Sequence, residues 1–128
     1  MGLDTTHDCW SGPYSAFKRF RDDVAAAALE HCGYVPNYED HPLRAYQGWW
    51  DDDHPYTDIL DVFFVHSDCD GYIFPHHAEP LADALEVLVG YMSDANDRVG
   101  YPTPRDRLRD FIFGLRKAAD EWEIVRFH

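Results

Sequence analysis

TPRDRLRDFIFGLRKAADEWEIVRF, residues 103–127, carries two hydrophobic periods in one unbroken stretch. Thr103 stands where an N-cap belongs, Pro104 follows at the first helical position, and Asp106 comes three residues after the cap. That order resembles a capping box, with Asp in place of the usual Glu, and predicts a helix start. Leu108, Phe111, Ile112, Leu115, Ala119 and Trp122 then recur at steps of three and four, the stripe of a helix with one buried face. Gly114 breaks the stripe, at a cost of about 1 kcal/mol relative to Ala. Tolerating that cost predicts close packing against a neighbour. Glu123-Ile124-Val125-Arg126-Phe127 switches to alternation, the period of a half-buried strand.

Upstream, two more helices are expected. Ser11 is read near an N-cap with Pro13 in the first turn, and Phe17, Phe20, Val24, Ala27 and Ala28 follow at helical spacing to a stop at Gly33. A second helix begins between Pro75 and Pro80, with Leu81, Leu85, Leu88, Val89 and Met92 as its apolar face. Asp61-Val62-Phe63-Phe64-Val65 reads as a buried strand paired with the C-terminal one, although a run this short also suits a helix. The expected architecture is a single α+β domain over residues 1–128, with about three helices packed on a small sheet.

Composition narrows the function. The formal charge of −13 argues against general nucleic-acid binding, which requires a basic face to displace counterions. Charge is uneven: residues 1–97 hold 19 acids and four bases, whereas residues 98–128 hold five acids and seven bases. Arg105, Arg107 and Arg109 therefore lie in the one positive region, suited either to an anionic ligand or to an acidic neighbouring helix. Aromatic residues number 20 of 128, enough to supply a binding surface as well as a core. Cys9, Cys32 and Cys69 are odd in number without CxxC spacing, which disfavours a disulfide framework. No signal peptide or long apolar span appears, so a cytoplasmic protein without membrane association is expected.

Three constellations carry chemistry. His66-Ser67-Asp68-Cys69-Asp70-Gly71-Tyr72-Ile73 groups carboxylates around a glycine, with His77 at the twelfth position of a calcium-type loop. His66, Asp68, Asp70 and His77 are candidate ligands for a divalent metal, the imidazoles favouring zinc, manganese or iron over calcium. The same acids serve equally as turn and helix-cap acceptors. Residues 34–56 show no period and hold Tyr46, Trp49 and Trp50, candidate stacking rings to work with Arg105, Arg107 and Arg109 on a nucleotide-like anion. His7 and Cys9 stand close in sequence, but a dyad requires convergence that spacing does not provide. No P-loop, dinucleotide fingerprint, HExxH or GxSxG occurs.

The opening Met1-Gly2-Leu3-Asp4-Thr5-Thr6-His7-Asp8-Cys9-Trp10-Ser11-Gly12-Pro13-Tyr14-Ser15-Ala16-Phe17, with Arg19-Phe20-Arg21, resembles a family of small phage and bacterial proteins without an assigned activity. His66 to Ile73 and the ending from Phe113-Gly114-Leu115-Arg116-Lys117-Ala118-Ala119 to Phe127-His128 share the resemblance. It implies a phage-type accessory protein that acts by binding, blocking a host enzyme or sequestering a nucleotide signal of host defence, and it carries no catalytic residues.

The leading expectation is a non-enzymatic binding protein for a small nucleotide-like anion. A metal-dependent hydrolase built on His66, Asp68 and Asp70 is the first rival. An acidic module that occupies a basic host protein is the second. A homo-oligomer would bring one chain's Arg-rich helix beside another chain's aromatic loop.

Overall fold

The C-terminal helix organises the rest. In the computed structural model, which describes residues 2–34, 59–64, 72–95 and 102–127, it runs Pro104–Glu121. Thr103 caps it as the sequence predicts. Its hydroxyl accepts from the Asp106 amide at 3.1 Å and donates to Asp94 at 3.1 Å, while the Thr103 amide donates to the Asp106 carboxylate at 3.5 Å. Leu108, Phe111, Ile112, Gly114, Leu115 and Ala118 are its buried face. The other helices are α1 (Tyr14–Cys32), α2 (Leu60–Phe64) and α3 (Pro75–Glu86), so the C-terminal helix is α4.

Helix α1 begins two residues later than a Ser11 cap would put it. Pro13 occupies the N-cap, and Ser11–Pro13 instead forms strand β2, antiparallel to β1 (Gly2–Asp4) with Leu3 opposite Gly12. Proline has no N–H to lose and its fixed φ suits extended backbone, so it closes the strand and opens the helix at once. At the far end Gly33 takes φ 73° and its amide donates to the Leu29 carbonyl at 2.9 Å, the left-handed stop expected of glycine.

Helix α3 lies along α4, and Arg116 of α4 reaches Glu79, Asp83 and Glu86 at 2.5, 3.0 and 2.7 Å. These acids sit four and three residues apart, one face of α3. Part of the basic C-terminal region therefore balances an acidic neighbour. Leu81, Leu85, Leu88 and Met92 are buried as the stripe predicts, with a 3-10 turn at Val89–Tyr91 after α3 ends.

One expectation fails. Residues 60–64 are helical, and the C-terminal strand β4 (Val125–Arg126) pairs not with them but with β3 (Tyr72–Ile73), antiparallel, Ile73 opposite Val125. The reason is geometric. A strand sends adjacent side chains to opposite faces, whereas the chain must bury Leu60, Phe63 and Phe64 together, all at most 4% exposed. Spacing of i, i+3, i+4 does that on one side of a helical turn. Arg21 closes α2 by donating to the Phe63 carbonyl at 2.9 Å. Phe17, Phe20, Phe63 and Phe111 form the ring core beneath it, and Phe127, bridged to Thr5, seals one edge. The result is a small α+β fold, mostly helical, with two two-stranded antiparallel sheets among the described residues. No helix among the described residues is long and apolar enough to cross a membrane.

Candidate metal centre

Gly114 is where the N-terminal segment meets α4. A Cβ built there would lie 2.5 Å from Cys9 Sγ, 2.7 Å from the His7 carbonyl oxygen and 3.0 Å from Cys9 Cα. Only glycine lets the turn at Thr6–Asp8 sit directly on the helix. The turn is held at both ends. Thr5 exchanges backbone and hydroxyl hydrogen bonds with Trp10, and the Thr6 hydroxyl accepts from the Arg126 amide at 3.0 Å and donates to the Ile124 carbonyl at 3.4 Å.

This seat presents His7 to the end of α4. His7 Nδ1 lies 2.8 Å from the Thr6 hydroxyl. That contact holds the ring so that Nε2 is turned toward the end of α4. Nε2 meets Glu123 Oε1 at 3.3 Å and Glu121 Oε2 at 3.7 Å, and one donor atom from each of the three residues lies within 4.8 Å of the others. The imidazole is nine-tenths buried, whereas both carboxylates are about half exposed.

Three non-glycine residues with positive φ converge here: His7 at 61°, Asp8 at 57° and Trp122 at 56°. Each such conformation costs on the order of 1–3 kcal/mol. Trp122 is the C-cap of α4, its amide donating to the Ala118 and Ala119 carbonyls. The left-handed residue reverses the chain, so that Glu121 and Glu123, either side of it, reach the same imidazole. The acids respond to each other. A hydrogen bond with Glu123 raises the Glu121 pKa, and the same bond, aided by His7, lowers that of Glu123. Two carboxylates and a ring nitrogen thus share a place suited to one positive charge, whether proton or cation.

The sequence-derived candidates distribute as follows. His77 is half-buried in the first turn of α3, its ring 4.0 Å from that of His76, while His66, Asp68 and Asp70 lie outside the described residues. Tyr46, Trp49 and Trp50 also lie outside them. Arg105 is stitched to the segment before α4, its Nη2 donating to the Met92 carbonyl at 3.1 Å and its Nη1 3.8 Å from Asp94. Arg107 lies 4.5 Å over the Trp10 ring and donates to the Ser11 carbonyl at 3.3 Å. Arg109 is exposed. In the sequence, His7 stands out only for its nearness to Cys9. Its real partners stand more than 110 positions away, and no local spacing links them.

Cys9 is structural. Burial pushes its thiol up to about 12 from 9.0. Below pH 9 the thiol is neutral folded or unfolded; between 9 and about 12 only the unfolded chain ionises. Stability therefore falls by about 1.4 kcal/mol per pH unit over that window. Replacing Cys9 with Ala is expected to flatten this alkaline slope in urea titrations. Iodoacetamide at pH 8 is expected to label the peptide containing exposed Cys32 and to spare the one containing Cys9, read by mass spectrometry.

Compared with known proteins, the chain matches no family model, no curated protein and no solved structure.

Proposed function

We propose that this chain is a metal-binding protein whose ion is a divalent transition metal held by His7, Glu121 and Glu123. The observation that carries this reading is the buried imidazole, held at Nδ1 by Thr6 so that Nε2 meets two carboxylates. A hydrogen bond to the second ring nitrogen is the usual support of a metal-binding histidine. One nitrogen and two carboxylate oxygens suit zinc, manganese or iron(II) better than calcium, which takes six to eight oxygens. Three protein donors leave coordination positions open toward solvent, where an anionic ligand can complete the shell.

Thermal unfolding with and without zinc or manganese tests the reading. An ion at about 100 times its Kd adds about 2.7 kcal/mol, which for a chain of this size raises Tm by about 10 °C. The double variant Glu121→Gln/Glu123→Gln changes two exposed groups and is expected to fold normally but to lose the shift. Affinity is expected to rise as pH increases through the titration of Glu121, because the metal displaces the proton the carboxylates share. No stabilisation by any divalent ion, or an equal shift in the double variant, would sink the proposal.

A further inference from the structure

At the opposite end of α4, about 21 Å from Glu121 at 1.5 Å per residue, a different chemistry gathers around the start of α1. That helix is 19 residues long, yet Pro13 at its N-cap offers no side-chain cap and its first turn holds no acid. Its leading N–H groups and dipole thus favour an anion. Helix starts are common, and this one alone would decide nothing. Beside it, however, Trp10 is 5% exposed, and its indole Nε1–H is buried without an acceptor among the described residues. A donor stranded in that way costs about 1–3 kcal/mol.

The stranded edge faces the residue that precedes the cap. A Cβ built on Gly12, φ 154°, would have Trp10 Nε1 as its nearest atom at 3.7 Å, with two carbons of the same ring edge next at 3.8 Å. A side chain at Gly12 would therefore stand in ordinary contact with the indole edge, which glycine keeps clear. Arg107 completes the surround, its guanidinium over the Trp10 ring and its Nη1 on the Ser11 carbonyl. Across the hairpin, the Asp4 carboxylate accepts from the Ser11 hydroxyl at 2.7 Å. An indole N–H, a guanidinium and the N–H groups of a helix start are all donors, and they suit the spread oxygens of a phosphate.

We infer that Trp10, Gly12, Arg107 and the first turn of α1 form a binding site for the phosphate group of a small ligand, independent of the metal centre. It gives the nucleotide-like anion expected from the sequence a place, with Arg107, of the three candidate arginines, beside the stranded indole.

The test reads the stranded donor directly. In metal-free, 15N-labelled protein, the Trp10 indole resonance is identified by its loss in Trp10→Phe. Inorganic phosphate and AMP are then titrated at constant ionic strength against sodium chloride. Phosphate is expected to move that resonance saturably, and AMP to do so at lower concentration if a nucleotide is the source. Arg107→Gln is expected to weaken binding about tenfold or more, as loss of a charged donor does, while Arg107→Lys retains part of it. A resonance that behaves alike in phosphate and chloride overturns the inference, as does a phosphate response unchanged in Arg107→Gln. Either result leaves the metal reading untouched.

Discussion

Phe63→Ala is expected to remove about 3–5 kcal/mol of stability, the cost of emptying a ring-sized space in a core that cannot collapse around it. Phe63 is fully buried and edge-on to three rings: Phe20 at 5.9 Å, Phe64 at 4.9 Å and Phe111 at 5.2 Å. It also touches Phe17 and lies under the Arg21 guanidinium at 5.7 Å. Edge-to-face pairs contribute about 0.5–1.5 kcal/mol beyond the area they bury, so truncation loses more than a transfer energy. Domains are stable by only about 5–15 kcal/mol, so the change takes a large fraction of the whole. Urea denaturation followed by far-ultraviolet dichroism measures it as a lower midpoint at similar slope. The control is Phe113→Ala on α4, a ring 73% exposed. It is expected to change stability by less than about 0.5 kcal/mol. Equal effects of the two substitutions would contradict the placement of the core.

The same residue shows where sequence reading stops. The C-terminal helix was legible because its signals are local: a Thr103 hydroxyl, a Pro104 ring and an Asp106 carboxylate act within four residues, and the apolar stripe runs long enough to state its period. Gly33 ended α1 for an equally local reason. Residues 60–64 offered only a short apolar run, in which neighbouring Phe63 and Phe64 satisfy either period. Burial of both on one side of a turn, against Phe17, Phe20 and Phe111 from two other helices, decided for helix. That is a tertiary preference, invisible in a window. The sheet followed the same rule, since β4 pairs with Tyr72–Ile73, more than 50 positions upstream, and no local pattern joins the two. The candidate metal centre was hidden more deeply. His7 and Glu123 are joined by a left-handed turn at each end, and neither turn uses the glycine that would have announced it. What the sequence did carry was Gly114, a helix interruption whose cost required a reason.

Gly114→Ala is the substitution that connects that reason to the site. In an exposed helix the change would stabilise by about 1 kcal/mol. Here the new methyl must displace Cys9 Sγ, the His7 carbonyl oxygen and Cys9 Cα, all within 3.0 Å of its position. Two of these atoms are backbone, and the segment carrying them is tied down by Thr5 to Trp10 and by Thr6 to Ile124 and Arg126. It cannot swing aside as a flexible side chain would. Overpacking of this kind costs typically about 1–3 kcal/mol and occasionally more, so a net loss of about 2 kcal/mol is expected in place of the gain. The loss falls on a particular contact. Moving the His7 backbone away from α4 separates Nε2 from Glu121 and Glu123, so the variant is expected to remain folded under mild conditions while zinc or manganese no longer raises its Tm. A variant that keeps the full metal response would show that the turn does not need glycine to reach the carboxylates. Loss of the metal response at unchanged intrinsic stability would show instead that the turn shifts cheaply, and that Gly114 serves the position of His7 more than the fold.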